Sequence, residues 1–89
     1  MEELKVTEKY SKTLKLLGNP TRLKILTIIK NKKCRVSKVQ EILQESLPLI
    51  SQQIAVLRKA KIIEGERNKN EIYYKIVDDF ALKVMELMK

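Results

Sequence analysis

Residues 46–60 read Ser46-Leu47-Pro48-Leu49-Ile50-Ser51-Gln52-Gln53-Ile54-Ala55-Val56-Leu57-Arg58-Lys59-Ala60. Leu47, Ile50, Ile54 and Leu57 are spaced so that an α-helix carries all four apolar side chains on one face. The opposite face carries Pro48, Ser51, Gln52, Ala55 and Lys59. Ser46 has the side-chain oxygen an N-cap needs. Pro48 suits a first turn, where its missing N–H has no intrahelical partner to lose. The expectation is a helix from Leu47 to about Ala60, with one face in a core and the other free.

The flanking sequence gives this helix its setting. Ser37 and Gln40 have capping-box spacing, which predicts a short helix from Lys38 to about Gln44. Two helices across a short turn form a helix-turn-helix over about 38–60. Residues 62–67 and 71–76 then change period: Ile72, Tyr74 and Ile76 alternate with Glu71, Tyr73 and Lys75, as in a strand with one apolar side. Asn68-Lys69-Asn70 separates the two runs, a polar turn in which Asn tolerates left-handed backbone. The prediction is a hairpin, or wing, over about 61–77.

Further out lie three more helices. Residues 3–17 have Tyr10, Leu14 and Leu17 at helical spacing, widened by Leu4, Val6 and Leu16. Gly18 is read as a C′ residue that ends this helix. Asn19-Pro20 then starts another, with Asn at the N-cap and Pro at N1, running to about Asn31. Leu23, Ile25, Leu26, Ile28 and Ile29 cover more than one of its faces, so it is expected at the centre of the core. Asp78 or Asp79 caps a last helix over about 79–88. Phe80, Ala81, Leu82, Val84, Met85, Leu87 and Met88 make it apolar nearly all round, more than a small core can cover. The surplus predicts a dimer interface, with Leu4, Tyr10, Leu14, Phe80, Val84, Leu87 and Met88 as its candidate residues.

Composition narrows the function. The chain has 89 residues, no His, one Cys and a net charge of +8. This length suits one domain, read as residues 1–89, whose thin core a partner subunit would help. A positive excess, mostly Lys, points toward nucleic acid or anionic lipid. Without His, a His-based triad or general base is impossible, and an intrachain His/Cys metal site is not expected. Cys34 has no intrachain disulfide partner. No apolar run reaches the length of a membrane span, and Met1-Glu2-Glu3-Leu4 does not look like a signal peptide. A reducing, cytoplasmic setting is the expectation. Nothing implies a cofactor, and no nucleophile–base pair or phosphate-cradling Gly loop points to an enzyme.

Taken together, the motifs carry a family resemblance. Leu17-Gly18-Asn19-Pro20-Thr21-Arg22-Leu23-Lys24-Ile25-Leu26 resembles the opening motif of the ArsR/SmtB-type bacterial and archaeal repressors. Residues 49–60 resemble their recognition helix, and Ile72-Tyr73-Tyr74-Lys75-Ile76 their second wing strand. The likeness runs collinearly over roughly residues 14–77. It implies a mostly α winged helix-turn-helix, element order ααααββα, dimerised through its first and last helices. It further implies a homodimeric repressor that binds double-stranded DNA at a palindromic operator. Departures from the pattern bear on sensing. Where family metal sensors often carry Cys-x-Cys, this chain has Arg35-Val36-Ser37, with Cys34 one place earlier. Its last helix begins Asp78-Asp79-Phe80 and has no His, so both common metal sites lack their ligands. Gln52-Gln53 replaces a frequent His pair, and Asn19 a frequent Asp.

The candidate DNA-reading residues are Ser46, Pro48, Leu49, Ser51 and Gln52, because the N-terminal half of a recognition helix enters the major groove. Gln can bond adenine bidentately, and Leu49 can meet a thymine methyl. Arg67 and Lys69 at the wing tip, and Lys33 and Lys38 near the helix-turn-helix, are candidate phosphate contacts, with Lys30, Lys32 and Arg35 in the same basic cluster. Glu64, Glu66 and Glu71 would oppose DNA if they point the same way. Arg22 is expected to pair with a nearby carboxylate, and Tyr73 and Tyr74 to pack the wing. Cys34, between Lys33 and Arg35, is a candidate redox residue, alone or across a dimer. No residue identifies an inducer. A protein-docking module and a sequence-independent architectural DNA binder are the alternative functions.

Overall fold

The computed structural model describes residues 1–88. Its elements run α1 (Glu2–Leu17), α2 (Pro20–Asn31), β1 (Cys34–Arg35), α3 (Val36–Leu43), α4 (Leu47–Lys59), β2 (Ile63–Asn68), β3 (Glu71–Ile76) and α5 (Asp79–Leu87). The three strands form an antiparallel sheet in the order β1-β3-β2. All five predicted helices and the hairpin are present. The short strand β1 is additional: Cys34 pairs with Tyr74 and Arg35 with Tyr73.

Strand β1 displaces the expected cap of α3. Arg35 is extended by its pairing with β3, and the helix starts at the next residue, with Arg35 at the N-cap and no side-chain cap bond. Ser37 therefore lies inside the first turn, where it does not cap. The other three expected caps form. Asn19 Oδ1 accepts the Arg22 N–H at 3.0 Å, Ser46 Oγ accepts the Leu49 N–H at 3.3 Å, and Asp78 Oδ2 accepts the Ala81 N–H at 2.9 Å. Each such cap contributes about 1 kcal/mol by satisfying a donor that the helix leaves free.

Left-handed backbone falls elsewhere than Gly18 and the turn asparagines suggested. Gln44, Lys61 and Lys69 have positive φ, and neither glycine does. Gly18 is a right-handed C-cap whose N–H reaches Leu14 O and Lys15 O, rather than a left-handed C′ residue. In the wing turn the left-handed residue is Lys69, not an Asn. At the end of α4, the Lys61 N–H bonds Arg58 O and the Ile62 N–H bonds Leu57 O. This is a Schellman motif, closed by the buried pair Leu57 and Ile62.

The core gathers Leu17, Ile25, Leu26, Ile29, Val39, Ile50, Ile54, Leu57, Ile62, Ile63, Tyr74, Ala81 and Met85. Helix α2 supplies three of these, as its multi-face pattern predicted. Val39 and Ile50 are fully enclosed and join the two helices of the helix-turn-helix to that centre. Leu47 departs from its expected place in the inner stripe. It lies in the first turn, at the edge of the buried arc, and is 49 % exposed. Among the described residues, no helix is long and apolar enough to cross a membrane.

Candidate nucleic-acid interface

Two constraints orient α4. Ile50, Ile54 and Leu57 hold one face against the core, and the Ser46 cap with Pro48 in the first turn fixes where the helix begins. Pro48, Ser51, Gln52 and Lys59 on the opposite side are exposed. Leu49 and Ala55 are half-buried at its margins. Ser46 is exposed as well, and its hydroxyl can still donate while its oxygen serves as the cap. The N-terminal half of α4 thus offers short, uncharged hydrogen-bonding groups to solvent on a rigid support. Charge appears only at the other end, in Arg58 and Lys59.

The adjacent glutamines have separate fates. Gln52 faces solvent, whereas Gln53 is half-buried and accepts a bond from Arg22 Nη1 at 2.9 Å. Arg22 Nε also donates to Leu16 O at 2.8 Å. The expected carboxylate partner of Arg22 is absent: its partners are a backbone carbonyl and an amide. Sequence reading missed the role of Gln53 because its partner lies 31 residues away.

The wing tip carries Arg67, Asn68, Lys69 and Asn70, all exposed. Arg67 pairs with Ile72 across the hairpin, and Asn68 with Glu71 beside the two-residue turn. Nearer the body, Gly65 faces Tyr74. A Cβ there would come within 2.8 Å of Ile72 Cγ2 and 3.2 Å of Tyr74 Cε1, so glycine is what lets both side chains lie across β2. Tyr74 belongs to the core and Tyr73 is half-buried, as the wing-packing expectation required.

Two of the wing's three glutamates, Glu66 and Glu71, have cationic partners, while Glu64 is exposed. Glu66 lies 3.5 Å from Lys33 Nζ and 3.4 Å from Lys75 Nζ. Glu71 accepts from Arg35 Nη1 at 2.6 Å and from the Tyr73 hydroxyl at 3.0 Å. The Lys75 bond, with the nearby charge of Lys33, holds the Glu66 carboxyl below the usual carboxylate range. The Arg35 bond, followed by that from Tyr73, does the same for Glu71. In turn, the bond to Glu71 pushes the Tyr73 hydroxyl and the Arg35 guanidinium upward. These groups are exposed, and their ion pairs join β1 and its approach to β2 and β3.

The basic cluster expected around residues 30–38 is therefore divided. Lys33 and Arg35 face wing carboxylates. Lys30 donates to Met85 O near the end of α5 at 3.4 Å, a structural contact. Lys38 stays in the first turn of α3, exposed, 3.8 Å from Glu41. Cys34 is half-buried in β1, with Sγ 3.1 Å from Lys32 O, and the charged groups of its two cationic neighbours are engaged elsewhere. Among the described residues, no group of three His, Cys, Asp or Glu side chains could hold a metal ion.

The candidate interface residues on the outer helices are more dispersed. Leu4, Tyr10 and Leu14 on α1 are exposed, as are Leu87 and Met88 at the end of α5. Phe80 is half-buried and stacks on Tyr10 at a ring-centroid distance of 4.2 Å, so this pair already joins α1 to α5 within the chain. Val84 is half-buried against the core.

A helix-turn-helix that runs directly into a hairpin is a winged helix-turn-helix. The family model for bacterial regulatory proteins of the arsR family matches residues 19–64. The chain belongs to the ArsR family. An uncharacterized HTH-type transcriptional regulator of Methanocaldococcus jannaschii is 33 % identical over 82 residues, covering 91 % of this chain and 92 % of that protein. Among solved structures, the transcriptional repressor BigR from Xylella fastidiosa superposes with a TM-score of 0.88 at 25 % identity, covering 98 % of this chain and 89 % of that one. A homodimeric winged helix-turn-helix DNA-binding domain from Mycobacterium bovis shares the fold, with a TM-score of 0.82 at 20 % identity over 96 % of this chain and 79 % of that one. This ArsR-family chain is thus a transcriptional regulator and not an enzyme.

Proposed function

We propose that this ArsR-family chain acts as a homodimeric repressor that occupies a palindromic DNA site. The observation that carries the reading is the outer face of α4. Ser51 and Gln52 stand exposed beside Pro48 on a helix fixed by its core face and its cap. They supply base-edge hydrogen bonds in the major groove, with Ser46 and Leu49 at the margins. Arg67 and Lys69 at the wing tip and Lys38 on α3 take phosphates, and the +8 charge draws the duplex in. Lys33 contributes after exchanging Glu66 for a phosphate. Leu4, Tyr10, Leu14, Leu87 and Met88 form the face that a second copy covers, with Phe80 and Val84 behind it. Repression then follows from occupancy of a promoter, and the place of action is the cytoplasm.

Selection of bound duplexes from a random pool tests this reading, run near physiological salt with excess non-specific competitor. The expected product is a palindrome with half-sites about one helical turn, or roughly 34 Å, apart. Gln52→Ala should relax preference at one position per half-site, by about 1–3 kcal/mol for a lost bidentate contact. Recovery of unenriched DNA would overturn sequence-specific repression in favour of an architectural or protein-docking role.

A further inference from the structure

We infer that Arg22 is a positioning residue for base recognition: through Gln53 it sets the rotation of the recognition helix and ties that rotation to helix α1. The inference rests on the DNA-binding reading of α4 and adds to it a residue outside the DNA-facing surface.

The geometry begins with a missing donor. Leu16 O lies in the last turn of α1, and the N–H four residues on would be that of Pro20, which has none. Arg22 Nε takes that place at 2.8 Å. The Arg22 backbone is itself held by the Asn19 cap, so the guanidinium leaves from a fixed point. Its second donor direction reaches Gln53 Oε1 at 2.9 Å. One planar, forked group therefore bonds the end of α1 and the middle of α4 from the start of α2. A lysine, with a single ammonium, does not reproduce this fork.

The consequence for recognition follows from helix geometry. Successive residues are about 100° apart around a helix axis, so tethering Gln53 inward directs Gln52 outward and places Ser51 beside it. The close-packed contacts of Ile50, Ile54 and Leu57 hold α4 against the core from one side. The hydrogen bond from the charged Arg22 donor is directional and adds a restraint on rotation at the margin of that packed face. The same link reaches α1, whose exposed Leu4, Tyr10 and Leu14 make up part of the proposed dimer face. A shift of α1 on association is thereby passed to the reading face by a single side chain.

The test compares Arg22→Lys, Gln53→Ala and their double variant with wild type. The readout is the ratio of affinities for a duplex selected by wild type from a random pool and for its scrambled counterpart. Each single variant should lower the ratio about tenfold, within the range of one lost base contact. Binding to the scrambled duplex should stay within about twofold, because the phosphate contacts remain. The double variant should be no worse than either single, since both remove the same link. Gln53→Glu, which can still accept from Arg22, should restore the ratio relative to Gln53→Ala. An unchanged ratio in Arg22→Lys, or losses that multiply in the double variant, would overturn the inference; multiplied losses would make Gln53 a direct reader. A second measurement needs no DNA. Amide exchange along residues 50–57 of the free protein should quicken in Arg22→Lys and Gln53→Ala but not in Gln52→Ala, and equal exchange in all three sinks the tether. If wild type enriches nothing from the pool, the DNA reading fails, while the exchange data still decide whether the tether exists.

Discussion

Helix α4 turns Ile50, Ile54 and Leu57 into the core, whereas β2, the next element in the chain, buries only Ile63. The helix is held by packing from beneath. The wing is held by pairing with β3, by the bodies of Tyr74 and Ile72 lying over Gly65, and by exposed ion pairs to the residues around β1. The two supports suit two tasks. A base-reading face needs positions held to fractions of an ångström, which close packing supplies. A phosphate-contacting hairpin needs charge and reach, and its surface pairs respond to salt and to acid.

The difference predicts a graded set of responses. The largest should come from Leu57→Ala, which removes a fully buried anchor that also closes the Schellman motif of α4. A loss of about 2–5 kcal/mol is expected in urea or thermal unfolding, for the transfer term plus the cavity. A loss as small as that of a surface substitution would mean that packing does not hold the reading helix. Next, Gly65→Val forces its side chain into Ile72 and Tyr74. About 1–3 kcal/mol of overpacking is expected, concentrated in the hairpin. Amide exchange should therefore quicken in β2 and β3 before it does in α4, and uniform loosening would erase the distinction between the two supports.

The smallest effect should be the loss of the wing carboxylates. Glu66 and Glu71 titrate below the ordinary glutamate range in the fold, so their contribution is complete above the unfolded pKa. It is lost as pH falls through the lowered folded values. Glu66→Gln with Glu71→Gln should therefore flatten the fall in melting temperature below about pH 4.5 and shift it only slightly near neutrality, because exposed pairs are screened. Near neutrality the same variant should bind duplex DNA more tightly, since Lys33, Arg35 and Lys75 lose their internal partners. A large drop in melting temperature at neutral pH would show that these surface pairs hold the wing as firmly as packing holds α4.

Both supports differ in how far they were legible. The inner stripe of α4 and the caps at Asn19, Ser46 and Asp78 could be read because each depends on residues within one or two helical turns. The alternation of Ile72, Tyr74 and Ile76 likewise showed the second wing strand. Strand β1 could not be read, since two residues in a basic run have no period and become a strand only by pairing with Tyr73 and Tyr74. Gly18 and the turn asparagines misled, because the left-handed positions belong to Gln44, Lys61 and Lys69. Their neighbours' hydrogen bonds impose a conformation that their own type does not favour. Of the candidate site, the exposure of Ser46, Pro48, Ser51 and Gln52 followed from periodicity. The engagement of Lys33, Arg35 and Lys30 did not.

By itself, the sequence determined the order and type of the long elements, the face of α4 that is left free, and the absence of His chemistry. These depend on local spacing and on residue type, which a linear chain displays directly. Only the tertiary structure decided that Gln53 holds Arg22 while Gln52 stays free, and that Arg35 meets Glu71 across 36 residues of chain. The physical reason is that such hydrogen bonds and ion pairs form between groups the folded core brings together. Which of two adjacent glutamines is inward depends on the rotation of a packed helix, and no pattern along the chain contains that rotation.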